Sequence, residues 1–164
     1  MKRDKSKTIF AKTFTATYDI YEDRIRFVIN YQDIDRRVDF MISRRFMINI
    51  IPSIDEFIYK YYSDNPTIKT QPNHPTPYEI PQIPKDPKIV SPTQNSDLEL
   101  LKRDGELLHK IDLSYNPKTK QTTLLFHSST HRVKAILDTQ TLPQVINMLK
   151  KSIPYFSWGI AMNF

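Results

Sequence analysis

Eight of the twelve prolines fall between Ser63 and Asp97: Pro66, Pro72, Pro75, Pro77, Pro81, Pro84, Pro87 and Pro92. Proline lacks a backbone donor and fixes φ, so neither a helix nor a central strand is expected over this stretch. It is predicted to run as extended, polyproline-like chain, and it divides the sequence into 1–63, a linker over 64–97, and 98–164. Any core must therefore be assembled from the two flanks. Pro81, Pro84 and Pro87 recur every third residue, a spacing that an aromatic groove on a partner can read. A spacer tied down by Tyr78, Ile80 and Ile83 is the plainer expectation.

The two flanks follow one order of elements. In the first, Thr8 to Thr15 is a candidate leading strand, and Tyr18-Asp19-Ile20-Tyr21 precedes a turn at Glu22-Asp23. Ile25, Phe27, Ile29 and Tyr31 then alternate with Arg24, Arg26, Val28 and Asn30, the pattern of a half-buried strand. After a break at 32–35, Val38, Phe40 and Ile42 share one face. Ser53 is a plausible N-cap for a helix carrying Ile54, Phe57, Ile58 and Tyr61 at i, i+3, i+4 and i+7.

The second flank repeats the order. Leu98 to Arg103 is a candidate strand ending at the turn dipeptide Asp104-Gly105. Ile111 to Ser114, a turn at Asn116-Pro117, then alternating Thr122, Leu124 and Phe126 follow. A break at 128–130 leads to a strand from His131 to Leu137. A helix opens at Thr141, with Pro143 in its first turn and Leu142, Val145, Ile146 and Leu149 on one face. The expected fold class is α+β, with two similar antiparallel βββ(β)α units forming one compact domain around the proline-rich linker.

At 39% hydrophobic and 26% charged residues, the composition is that of a folded globule. With no cysteine, disulfides, thiolate nucleophiles and cysteine-bound metals are excluded. No apolar run approaches the roughly 20 residues of a membrane span, and Lys12 interrupts the first apolar stretch too early for a signal peptide. A protein of the cytoplasm, or of a nucleoid or organelle matrix, neither secreted nor embedded, is expected. The formal charge of +6 makes polyanions the first partners to consider.

The repeated ββββα order with basic strands resembles the Whirly and PUR families of single-stranded nucleic-acid-binding proteins, over roughly residues 8–63 and 98–153. That resemblance implies a curved sheet whose cations meet phosphates while aromatic rings stack on bases. Opposite the apolar strand faces stand Arg24, Arg26, Asn30 and Arg37 in the first unit, and Gln121, Arg132 and Lys134 in the second. Tyr21 and Tyr115 lie near strand ends on the same side as these charges. The expected partner is single-stranded DNA or RNA, with no cofactor.

Catalytic constellations are weaker. His127 and His131 bracket a turn, whereas an i, i+4 histidine pair suits metal ligation on a helix. Asp104, Glu106 and Lys110 crowd one hairpin in a way that imitates a nuclease's carboxylates and lysine, but they also suit a charged turn. No phosphate loop or serine elbow is present, and an enzyme is not expected. After Pro154, Phe156, Trp158, Ile160, Met162 and Phe164 alternate with smaller or polar residues, which predicts a C-terminal strand. Its apolar face either completes the chain's own core or forms an interface with a protein partner or a second copy. That gives the alternative function, a non-catalytic protein-interaction or assembly subunit using this strand and the proline-rich segment.

Overall fold

The computed structural model describes residues 8–63, 88–89 and 104–160, with backbone alone at 88–89 and at Phe156. The strands are β1 Thr8–Phe10, β2 Thr13–Asp19, β3 Arg24–Ile29, β4 Val38–Ser43, β5 Lys88–Ile89, β6 Glu106–Leu107, β7 Lys110–Asn116, β8 Gln121–His127 and β9 Arg132–Leu137. The helices are α1 Arg44–Tyr62, α2 Thr141–Lys151 and the single turn α3 Tyr155–Trp158. The α+β class and the repeated strand-helix order hold. Thr13 and Lys110, Arg24 and Gln121, and Arg44 and Thr141 each open corresponding elements at one and the same chain separation.

Two mixed sheets result. In one, the order is β1-β9-β8-β7; in the other it is β5-β2-β3-β4-β6. We call them the second-unit and first-unit sheets after the antiparallel meander at the centre of each. Their edge strands are exchanged. β1, from the first flank, lies parallel to β9, while β6, from the second, lies parallel to β4. The two crossings are equally abrupt. The Ala11 amide donates to the Lys134 carbonyl at 2.8 Å, and two residues later β2 has joined the other sheet. Likewise the Leu108 amide donates to the Met41 carbonyl at 3.0 Å, while that of His109 donates to the His127 carbonyl at 2.8 Å.

Specific residues enforce these crossings. Asn30 is buried at φ 55°, a left-handed conformation that asparagine tolerates better than most. Its Oδ1 accepts from the Lys12 amide at 2.7 Å, and its Nδ2 donates to the Phe10 and Arg36 carbonyls at 3.0 and 3.2 Å. Gly105 passes so close to β4 that a Cβ there would stand 2.4 Å from Met41 Cγ. Asp104-Gly105 thus leads into a strand that pairs in parallel with the first unit; the strand expected at 98–103 lies outside the described residues.

One cluster of buried side chains joins the sheets and helices. Phe27 of the first-unit sheet meets Phe126 of the second at 5.4 Å between ring centroids, and Phe40 meets Phe126 at 6.1 Å. Each such phenyl removed from water contributes roughly 1.5–3 kcal/mol. Leu142, Val145, Ile146 and Leu149 are buried, as the spacing in α2 predicts. Along α1 the buried residues are Met47, Ile54 and Tyr62, and the Tyr62 hydroxyl bonds that of Thr122 at 2.5 Å, so the first unit's helix ends on the second unit's sheet. Lys150 on α2 reaches Asp55 on α1 at 2.6 Å.

Four expectations change. Thr8 to Thr15 is not one strand; the Asn30 crossing splits it between sheets. α1 starts at Arg44, not after Ser53, because Ser43 Oγ caps it by accepting the Phe46 amide at 3.3 Å. Pro52 sits inside the helix at an exposed position, so the missing bond falls on the solvent side. The proline-rich stretch contributes β5, a two-residue strand at a sheet edge, where neighbouring prolines are tolerated; Tyr78, Ile80, Ile83 and the triplet-spaced prolines lie outside the described residues. Residues 155–158 form a helical turn in place of a strand. Gly159, at φ 61°, and a bond from the Ile160 amide to the Tyr155 carbonyl at 3.1 Å stop it as a Schellman motif. Met162 and Phe164 are beyond the described residues. No helix among them is long and apolar enough to cross a membrane.

Candidate nucleic-acid interface

The first-unit sheet turns Phe14, Ile25, Phe27, Ile29, Val38, Phe40 and Ile42 to the core, which by alternation sends Thr15, Asp19, Arg26, Val28, Asn30, Asp39 and Met41 to the opposite face. That face is closed too, with each of those residues buried. Charges enclosed there must be paired. Arg26, at 3% exposure, lies 3.7 Å from Asp19 and 3.3 Å from Asp39. Arg37 grips the same Asp39 through Nε at 2.6 Å and Nη2 at 2.8 Å, while its guanidinium covers the Tyr31 ring at 4.9 Å. Arg26 and Arg37, both expected to meet phosphates, are thus consumed by buried carboxylates.

The second-unit sheet behaves differently. Ile111, Leu113, Tyr115, Thr122, Leu124, Phe126, Val133, Ala135 and Leu137 face inward, and its outer face is open. The ladder register maps that face in rows. Thr8, Arg132, His127 and Lys110 lie side by side across the four strands; next come Phe10, Lys134, Leu125 and Asp112, and then Ile136, Thr123 and Ser114. Arg132 is exposed, Lys134 half-buried, and Phe10 and Ile136 are 57% and 46% exposed. Gln121 and Asn116 finish the face with neutral polar groups.

Charge on this face is graded. At β7, Asp112 accepts from Lys110 at 2.8 Å and meets His127 Nε2 at 2.9 Å, so that corner is compensated. Lys110 leads in holding the Asp112 carboxyl below its ordinary range, with His127 assisting. Arg132 and Lys134 carry no such carboxylate partner among the described residues. The surplus positive charge lies on β9, flanked by Phe10.

Of the seven expected nucleic-acid residues, Arg26 and Arg37 meet on the enclosed Asp39, and only Arg132 and Lys134 come together on an exposed strand face. Arg24 sits at the far end of the first-unit sheet, 3.8 Å from Glu22, and Tyr21 is 91% exposed at the β2–β3 turn. Tyr115 points inward and is stacked on Tyr61 at 4.8 Å. Sequence reasoning missed Phe10 and Thr8. Nothing near them in the chain announces the site, because β1 reaches it only by pairing with a strand of the other unit.

Other constellations resolve into structural contacts. Glu106 of β6 accepts from Ser128 Oγ and stands 2.7 Å from His131 Nδ1, so serine and histidine share one carboxylate and do not form a nucleophile-base pair. Burial acts to raise the Glu106 carboxyl, but hydrogen bonding to Ser128, Thr130 and His131 outweighs it and leaves the group below its ordinary value. This clasp fastens the β8–β9 turn to the edge strand of the other sheet. Among the described residues no three of His, Asp or Glu stand together as a metal site. Trp158 is buried; its Nε1 donates to Asp23 at 2.6 Å, and its ring meets that of Tyr18 edge-on at 6.1 Å. Ile160 is half-buried against the same core. No known protein family matches this sequence, and no curated protein or solved structure resembles it significantly.

Proposed function

We propose that the open face of the second-unit sheet binds single-stranded DNA or RNA, as the Whirly and PUR resemblance implies. One observation carries this reading: Arg132 and Lys134 stand beside each other on β9, with exposed Phe10 directly across from Lys134, on a sheet face that nothing among the described residues covers. A phosphate needs an unspent cation, and an unstacked base needs an aromatic plane. Thr123, one row beyond Lys134, and Gln121, further along the same face, offer hydrogen bonds to base edges without fixing a sequence. The assembly-subunit alternative is weaker for Trp158, which is spent inside its own chain.

The test is fluorescence anisotropy of labelled single-stranded and duplex oligonucleotides at two salt concentrations. Tight, salt-sensitive binding that favours the single strand is expected. The Arg132→Glu/Lys134→Glu variant is expected to lose tenfold or more in affinity and to flatten the salt dependence, at roughly 0.7 of a logarithmic unit per lost phosphate contact. Phe10→Ala is expected to cost about 1–3 kcal/mol of binding through lost stacking. Unchanged affinity in the folded double-glutamate variant rules the site out.

A further inference from the structure

Period two along β7 places Lys110, Asp112, Ser114 and Asn116 on the outer face of the second-unit sheet. The ladder then sets Lys110 beside His127 of β8, and His127 beside Arg132 of β9. The Ser128 amide donates to the His131 carbonyl, so by the antiparallel alternation His127 and Arg132 form a non-hydrogen-bonded pair, the kind whose side chains stand closest. Three basic side chains thus line up across three strands. Among the described residues, one carboxylate, that of Asp112, is the only anion bonded to any of them.

That carboxylate is held as a phosphate would be. Lys110 Nζ stands 2.8 Å from one Asp112 oxygen, and His127 Nε2 stands 2.9 Å from the other. An ionised carboxylate only accepts, so Nε2 carries a proton and donates it. Exposure separates this pair from its counterpart in the first unit. The Lys110 and Asp112 side chains are 64% and 41% exposed, whereas those of Arg37 and Asp39 are buried. Water and salt screen an exposed pair, which gains little net stability, so a competing anion can enter; a buried pair is held by the cost of leaving one charge alone.

We propose that Lys110, His127 and Arg132 form one phosphate seat, held in the free protein by the Asp112 carboxylate and taken over by a backbone phosphate. The inference deepens the nucleic-acid reading and rests on it for the source of the phosphate. A lone phosphate ion must displace Asp112 from free solution. A phosphate in a chain already engaged at Lys134 arrives at high effective concentration. The seat therefore favours chains of phosphates over single ones, and Asp112 sets the threshold between them.

Nuclear magnetic resonance on the full chain tests it, with a single-stranded oligonucleotide and inorganic tripolyphosphate as separate probes. Either probe is expected to move the His127 Nε2 and Asp112 carboxyl resonances together, as the carboxylate leaves and the phosphate enters. Asp112→Asn keeps the side chain's shape and the fold, which circular dichroism verifies, and is expected to half-saturate with about threefold less probe than the wild type. If the oligonucleotide binds while both resonances stay still, the seat is overturned and the nucleic-acid reading stands. If tripolyphosphate moves them and the oligonucleotide does not bind, the seat stands and the nucleic-acid reading fails. No response to either probe overturns both, and an Asp112→Asn variant that binds no tighter overturns the inference.

Discussion

The two sheets carry similar meanders, yet one is buried on both faces and the other on one. The difference lies in what the strands do with arginine. In the first unit, Asp19 and Asp39 enclose Arg26, and Arg37 completes the set, so two cations and two anions cancel in a closed space. In the second, Arg132 and Lys134 occupy β9 with no such carboxylates beside them among the described residues, none of which covers the face. In one unit the polar strand face is a structural network, while in the other it is exposed. A basic residue on a strand is therefore no guide to binding until its neighbours across the ladder are known.

Breaking this contrast should cost most at Arg26. Arg26→Ala leaves two buried carboxylates facing one remaining guanidinium, with an expected loss of about 3–5 kcal/mol; Arg132→Ala on the open face is expected to stay within about 0.5 kcal/mol. Urea denaturation of the two variants measures both. Comparable losses would mean that the faces do not differ as described. Asn30→Ala comes next, at about 2–3 kcal/mol, because it strands the Lys12 amide and the Phe10 carbonyl and places alanine at a left-handed φ. The same variant should loosen β1, so hydrogen exchange should accelerate first at Thr8–Phe10.

The smallest effect sharpens the comparison through pH, at the clasp that links the sheets. A carboxyl held below its unfolded value contributes stability that is complete above that value and is lost as pH falls through the folded one. For Glu106 the loss starts below its ordinary value of 4.5. Glu106→Gln, which cannot ionise, should show a shallower fall in urea midpoint over that acid range, with the two curves converging at the acid end. Parallel curves would show that the clasp contributes nothing.

Strand alternation and helix spacing made much of the architecture legible. Val38, Phe40 and Ile42 in one unit, and Val133, Ala135 and Leu137 in the other, face the core as period two requires. Burial on the far side of β3 was not legible: Arg26 and Asn30 read as solvated because their partners lie on other strands or beyond a turn. The C-terminal segment carried a misleading alternation. The stronger signal was Pro154 before the turn and Gly159 after it, the asymmetry of a short helix. Ser43, rather than Ser53, was hidden by Pro52, which invites placing a boundary where an exposed helix face absorbs it. Half of the candidate site was visible, Arg132 and Lys134, because both sit on one strand. Phe10 was not, since its place depends on pairing across more than a hundred residues.

The traded edge strands bind the two units in mutual dependence, unlike two beads on a string. Neither half owns a complete sheet, so a fragment ending at Ser63 would carry β1 with no β9 to receive it, and the complementary fragment would lack the strand bearing Phe10. Because the last ladders to close join the most distant parts of the chain, assembly is expected to be slow and all-or-none. Two fragments mixed together should nonetheless find each other, since what unites them is the reciprocal lending of a strand and not the covalent thread between them.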